Sequence, residues 1–161
     1  MRIRKATLSD IDHLARIDKA CFASQASTAE NFVQMVNDEK TDLWIADGIS
    51  GPVGYILGVE QDGSTDATLN LRTGEDYVLQ IASIAVLPTY AGQKIGQKLL
   101  AHLEPEANVQ KVSRFISEVA LDNDASQKLF AKSGYQHIET LENYYGANKN
   151  AHRFQKNCPC L

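Results

Sequence analysis

The chain is expected to fold as an α/β protein with a mixed, mostly antiparallel central sheet of about seven strands flanked by about four helices. Two observations predict this. Apolar periodicity switches back and forth between strand-like and helix-like runs, in the order β-α-α-β-β-β-α-β-α-β-β. Antiparallel hairpins and helical crossovers therefore alternate in one chain, which suits neither a Rossmann array nor a barrel. The length of 161 residues makes a single domain over 1–161 the expectation, and 43% apolar residues suffice for a real core.

Taken in order, residues 2–7 read as a short edge strand. Ser9 is expected to cap a helix in which Ile11, Leu14, Ile17 and Cys21 recur at helical spacing. Ser27-Thr28-Ala29-Glu30 has the form of a capping box, ahead of a helix carrying Phe32, Met35 and Val36. Between these helices, residues 22–26 form a loop of small and polar side chains, read either as the lining of a substrate entrance or as a plain connection. Residues 42–46 (DLWIA) and 53–60 (VGYILGVE) read as a hairpin with its turn over 48–52. Gly54 and Gly58 inside its second strand signal a bulge or a close backbone approach. Residues 61–74 are polar and turn-rich and are expected to be a long connection, with at most a brief strand at 69–71.

The central stretch is 77–103, YVLQIASIAVLPTYAGQKIGQKLLAHL. Its first part, 77–86, is apolar apart from Gln80 and Ser83, as in a strand covered on both faces. A short turn over 87–92 leads to a helix with Ile95, Leu99, Leu100 and Leu103 on one face. Its N-terminus would present free backbone N–H groups and the positive end of the helix dipole, a ready place for phosphate. Pro105 is expected to end this helix after Glu104. Residues 112–120 read as a strand with Glu118 set among apolar neighbours, and Asp122-Asn123-Asp124 as a turn that caps a helix over 125–132. Gly134 stops that helix, 135–141 is a strand, 143–150 a loop and 151–157 a last strand closing a long hairpin.

Composition narrows the function classes. A net charge of −4 argues against non-specific nucleic-acid binding and leaves a cationic substrate such as an amine open. No apolar run marks a signal peptide or reaches membrane-span length. Three cysteines, Cys21, Cys158 and Cys160, suggest a reducing compartment, so a cytoplasmic location is expected. Cys158 and Cys160 are too close for an ordinary disulfide, and further ligands for a metal are not in a sensible pattern, so no metal is expected. No GxGxxG with a downstream acidic residue points to a nicotinamide cofactor. His137 and His152 show no triad spacing.

Three groups of residues stand out together: Ile84-Ala85-Val86-x-Pro88-x-Tyr90 followed by Ile95-Gly96-x-x-Leu99-Leu100, then Asn123 with Leu129-Phe130-x-x-x-Gly134-Tyr135, and then Asn143-Tyr144-Tyr145. They resemble the GNAT superfamily of N-acetyltransferases, most of all its ribosomal-protein alanine and protein N-terminal branch, and the first group looks like that family's acetyl-CoA signature. The resemblance implies the acyl-CoA N-acyltransferase fold, with the strand at 81–86 splaying away from that at 113–119. It implies acetyl-CoA as co-substrate, pantetheine on the backbone of Ile84, Ala85 and Val86, and pyrophosphate on Gly92, Gln93, Lys94, Ile95, Gly96 and Gln97. Asn123 would bond the pantetheine arm, and Phe130 would stand on the cofactor side of its helix. The implied reaction is direct attack of an amine on the thioester in a ternary complex, with a protein N-terminus of the ribosomal-protein kind as acceptor.

Glu118 falls at the general-base position of that branch; its other reading is an ion pair with a basic side chain such as Arg114 or Lys128. Tyr144 and Tyr145 are candidates for a wall of the acceptor site, or ordinary loop packing. The chain departs from the family pattern twice. The loop reads Ala91-Gly92-Gln93-Lys94-Ile95-Gly96, with Lys94 where the family has its first glycine. Phe130 replaces a tyrosine that protonates the departing thiolate, and it has no hydroxyl to do so. These departures keep two alternatives in view, a small-molecule amine acceptor and a CoA-binding module without transfer.

Overall fold

A computed structural model of the chain describes residues 1–61, 77–108 and 112–158. Among these residues the main elements follow the expected order. They are β1 (Arg2–Lys5), α1 (Ile11–Phe22), α2 (Ala29–Asn37), β2 (Thr41–Gly48), β3 (Gly51–Gln61) and β4 (Val78–Val86), then α3 (Ile95–Asn108), β5 (Arg114–Ala120), α4 (Asp124–Lys132), β6 (Gln136–Leu141) and β7 (Ala151–Asn157). The seven strands form one sheet in the order β1-β2-β3-β4-β5-β7-β6. β1/β2, β2/β3, β5/β7 and β6/β7 pair antiparallel, and β4/β5 pair parallel. The expected long connection and the brief strand within it lie almost wholly outside the described residues, as do Pro159 and Cys160.

By contact density the chain divides into two compact units, each discontinuous in sequence: Met1–Val59 with Ser83–Glu104, and Glu60–Ala82 with Pro105–Leu161. The first unit is built on α1, whose Leu14 and Ile17 are fully buried with Phe32 of α2, Ile45 of β2, Tyr55 of β3 and Ala85 of β4. The helical repeat of apolar positions thus finds its core as expected. Asp12 in the first turn of α1 and Lys19 in the last complement the helix dipole. Arg4 of β1 ties the start of α1 down. Its guanidinium forks onto Asp10 at 2.9 and 3.0 Å and reaches Asp47 at 2.7 Å.

Two capping expectations need correcting. Ser9 lies inside a 3-10 turn, Leu8–Asp10, and the Asp10 carboxylate instead takes the Thr7 N–H at 2.8 Å. Ahead of α2 the box is shifted by one residue, with Thr28 rather than Ser27 as the cap and Asn31 rather than Glu30 as its partner: Asn31 N–H donates to Thr28 Oγ1 at 3.2 Å and Thr28 N–H to Asn31 Oδ1 at 2.9 Å. Gly54 bears out the expected close approach. A Cβ built there would stand 2.9 Å from the Ala85 carbonyl oxygen. The sole tryptophan, Trp44, meets the His102 ring edge-on at 4.5 Å and carries Lys5 Nζ 4.7 Å above it. α3 does not stop at Glu104. It runs through Pro105 to Asn108, and Ala107 in the added turn is 1% exposed. Proline biases its predecessor away from helix, and burial of that last turn overrides the bias.

In the second unit, β7 lies between β5 and β6, so the final hairpin is set into the sheet with β6 at its edge. Phe130 of α4 packs against Tyr135 at 5.0 Å and Phe154 of β7 at 5.9 Å. Gly134 ends α4 with φ +88°, as a left-handed stop requires.

Candidate functional site

The turn between β4 and α3 carries the first set of candidate residues, all in the first unit. Leu87 N–H bonds the Val53 carbonyl at 2.8 Å, which fixes where β4 ends. A 3-10 turn, Pro88–Tyr90, follows, and the chain then passes Gly92 at φ +78° and Lys94 at φ +60°. Lys94 therefore holds the left-handed backbone that glycine would adopt freely, and its side chain is exposed. Lys98 N–H returns to the Lys94 carbonyl at 3.0 Å as the opening bond of the helix. Ahead of it, the backbone N–H groups of Gln93, Lys94, Ile95, Gly96 and Gln97 have no partner among the described residues. They gather at the positive end of the α3 dipole, and a Cβ at Gly92 would meet nothing within 4 Å. Unpaired donors at a helix start are the chemistry that a diphosphate takes.

On β4, Ala85 is buried in the core while Ile84 and Val86 are half-buried. The Val86 carbonyl accepts the Cys21 thiol at 3.3 Å. Burial raises the Cys21 pKa, which favours the protonated thiol that donates this bond.

The second unit holds the acid–base candidates. β4 and β5 pair at Val78–Arg114, Leu79–Phe115 and Gln80–Ile116, and next to these pairs Ser117 Oγ donates to the Ile81 carbonyl at 3.0 Å. Glu118 on β5 has a side chain only 3% exposed. Its Oε1 accepts from Arg153 Nε of β7 at 2.8 Å, and its Oε2 from Gln80 Nε2 at 2.7 Å. Arg153, 2% exposed, also reaches Glu139 of β6 at 2.5 Å. The ion pair read as an alternative from the sequence thus exists, with Arg153 as the partner rather than Arg114 or Lys128. Tyr145 O–H donates to the Glu118 backbone carbonyl at 2.9 Å, and Tyr144 stands edge-on to Tyr145 at 5.0 Å. Burial, and then the Glu118 charge, raise the Tyr145 pKa. Asn123 caps α4 through Oδ1, which accepts Ser126 N–H at 3.1 Å. Its amide NH2 points to no partner among the described residues. Phe130 is 3% exposed and belongs to the α4–β7 packing.

Sequence reasoning missed two things here. Arg153 on a strand of mixed character gave no sign of its burial. Asp18 of α1 is 2% exposed and bonded to Tyr55 of β3, and it did leave a signal: it falls four residues after Leu14, on the apolar face of its helix. Among the described residues no group of His, Cys, Asp and Glu is arranged to hold a metal ion. No described helix is long and apolar enough to cross a membrane.

Comparison with known proteins adds to this geometry. The model of the acetyltransferase (GNAT) family matches residues 11–135. A Bacillus subtilis protein assigned as a ribosomal protein bS18-alanine N-acetyltransferase is 27% identical over 146 residues, covering 91% of this chain and 87% of its own. A Sulfolobus acidocaldarius N-alpha-acetyltransferase is 27% identical over 154 residues, covering 94% and 89%. Among solved structures, Arabidopsis thaliana NAA60 in complex with a bisubstrate analogue superposes with a TM-score of 0.83 at 16% identity, over 97% of each chain.

Proposed function

Because this chain belongs to the acetyltransferase (GNAT) family and is an acetyl-CoA-dependent N-acetyltransferase that acts on an amine, we propose that its acceptor is the N-terminal α-amine of a protein, of the ribosomal-protein kind. The observation that carries this reading is the pair of relatives matched over nearly the whole chain, one from Bacillus subtilis named as a ribosomal protein bS18-alanine N-acetyltransferase and one from Sulfolobus acidocaldarius named as an N-alpha-acetyltransferase. The family match and this coverage also support reading 1–161 as one acetyltransferase domain.

Acetyl-CoA supplies an acetyl group already activated as a thioester. The chain's own residues have to hold it, strip water from the reacting groups and manage one proton. In this reading the backbone of Ile84, Ala85 and Val86 lies along the pantetheine, and the unpaired N–H groups from Gln93 to Gln97, with the open turn at Gly92 beside them, take the diphosphate. Asn123 offers its amide NH2 to the pantetheine arm while its oxygen stays on the helix. Phe130 supports the cofactor side of α4 from within its packing and supplies no proton.

Glu118 is the general base: an amine is protonated at neutral pH and must lose a proton before it attacks. Each Glu118 oxygen already accepts one hydrogen bond and keeps a lone pair for another. Proton removal then runs through a bridging water. Tyr144 and the exposed face of Tyr145 line the acceptor. A cytoplasmic location belongs to the same proposal, supported by the co-substrate and the kind of acceptor.

The test is steady-state release of CoA thiol with acetyl-CoA and a panel of peptides, with mass spectrometry to locate the acetyl group. Acetylation on the α-amine of peptides beginning with alanine is the expected result. Turnover of small primary amines with none of the peptides would replace the acceptor class. Tight acetyl-CoA binding without turnover of any amine would leave a binding module.

A further inference from the structure

Within the first unit, a chain of hydrogen bonds runs from a buried carboxylate to a half-exposed hydroxyl. Asp18 Oδ2 accepts the Ser27 N–H at 2.6 Å, which pins the loop between α1 and α2. Asp18 Oδ1 accepts the Tyr55 O–H. Tyr55 is 2% exposed, and burial, followed by the bond to Asp18, pushes its pKa far above the ordinary tyrosine value, so the phenol keeps its proton. A phenol has one hydrogen to give, and Tyr55 has given it to Asp18. The 2.8 Å bond between Tyr55 and Ser83 Oγ therefore has the serine as donor. The Ser83 hydrogen is committed to Tyr55, and Ser83, half-buried, has only lone pairs left on Oγ for a further partner.

We propose that Ser83 Oγ is a subsite for the acceptor amine, accepting one of its N–H hydrogens, and that Tyr55 and Asp18 are positioning residues that prevent the serine from donating. The inference rests on the N-acetyltransferase reading above. Ser83 directly precedes Ile84-Ala85-Val86 on β4, and the same aspartate that orients it also holds the loop that closes on α2. The chemistry explains why the orientation matters. A serine free to donate would place its hydrogen on the amine lone pair, the electrons that must attack the thioester. A serine that can only accept leaves that pair exposed and takes an N–H instead. As the nitrogen gains positive charge during attack its N–H becomes a better donor, so the bond is stronger in the transition state than in the ground state.

Kinetics of the full chain test this, with acetyl-CoA and whichever acceptor the wild type uses, an alanine-initiated peptide or a small primary amine. Ser83→Ala and the nearly isosteric Tyr55→Phe should each lower kcat/KM for the acceptor about tenfold. The KM and the calorimetric Kd for acetyl-CoA should not change, and Ser83→Thr, which keeps the hydroxyl, should retain most activity. Wild-type acceptor kinetics in Ser83→Ala, or an equal loss of acetyl-CoA affinity, would overturn the subsite and leave the transferase reading standing. A wild type that turns over no amine overturns both.

Discussion

Lys94 shows how a single residue can depart from a pattern without breaking the structure. Its φ of +60° is a conformation that costs an L-residue about 1 kcal/mol or more. Lys94→Ala should keep that cost, and Lys94→Gly should remove it. The glycine variant is expected to be more stable than the alanine variant by about 1 kcal/mol in urea unfolding, net of glycine's greater unfolded-state entropy. Equal midpoints would mean that the backbone relaxes. Glu118 gives a second residue-scale expectation. Glu118→Gln should slow turnover about 100-fold with little change in acetyl-CoA affinity. It should also destabilise the protein by about 3 kcal/mol, because Arg153 would lose one of its two carboxylates in a buried place. Unchanged turnover in a folded variant would remove Glu118 from the mechanism. Its position among apolar strand residues was legible in the sequence, but its partner was not. Arg153 lies 35 residues away, on a strand that only the sheet order brings alongside.

At the scale of elements, the signals that act over a few residues were readable: the apolar repeat of α1, the glycine stop of α4, the paired strands around a turn. The misreadings came where a local signal met a tertiary contact. Pro105 should have ended α3, yet the buried Ala107 keeps the chain helical for another turn. The capping box expected over residues 27–30 sits one residue later, because Asp18 holds the Ser27 N–H and the helix starts after Thr28, whose N–H is answered by Asn31 rather than Glu30. Gly54 is the clearest success at this scale, since a strand glycine signalled a close backbone and the Ala85 carbonyl is there. Gly54→Ala should therefore push β3 and β4 apart locally and cost about 1–3 kcal/mol in stability. Because Ala85 sits in the candidate pantetheine strand, acetyl-CoA affinity should fall as well. Calorimetry on the folded variant reads this, and an unaltered Kd would show that the strand absorbs the added methyl elsewhere.

For the molecule as a whole, acid should weaken the fold in two stages. The His152 pKa lies below its ordinary 6.5, through burial first and then the nearby His137 ring at 4.0 Å. The folded state then binds fewer protons than the unfolded one just below pH 6.5, so stability falls as pH drops from there toward the folded-state value. Asp10 is held below its ordinary 3.8 by its bond to Arg4, so its contribution is intact above that pH and is lost as pH falls further. Urea midpoints measured from pH 8 to 3 should trace both declines. In His137→Gln the upper decline should shrink, and an unaltered upper decline would show that His137 does not contribute to it.

Trp44 has an optical consequence. It is the sole tryptophan of the chain, and it lies in the unit made of Met1–Val59 and Ser83–Glu104. Indole emission is therefore a spectator of that unit alone, while far-ultraviolet dichroism sums over both. If the melt followed by emission and the melt followed by dichroism superimpose, the two units lose their structure in one cooperative event; if the curves part, the unit without an indole dissolves on its own schedule.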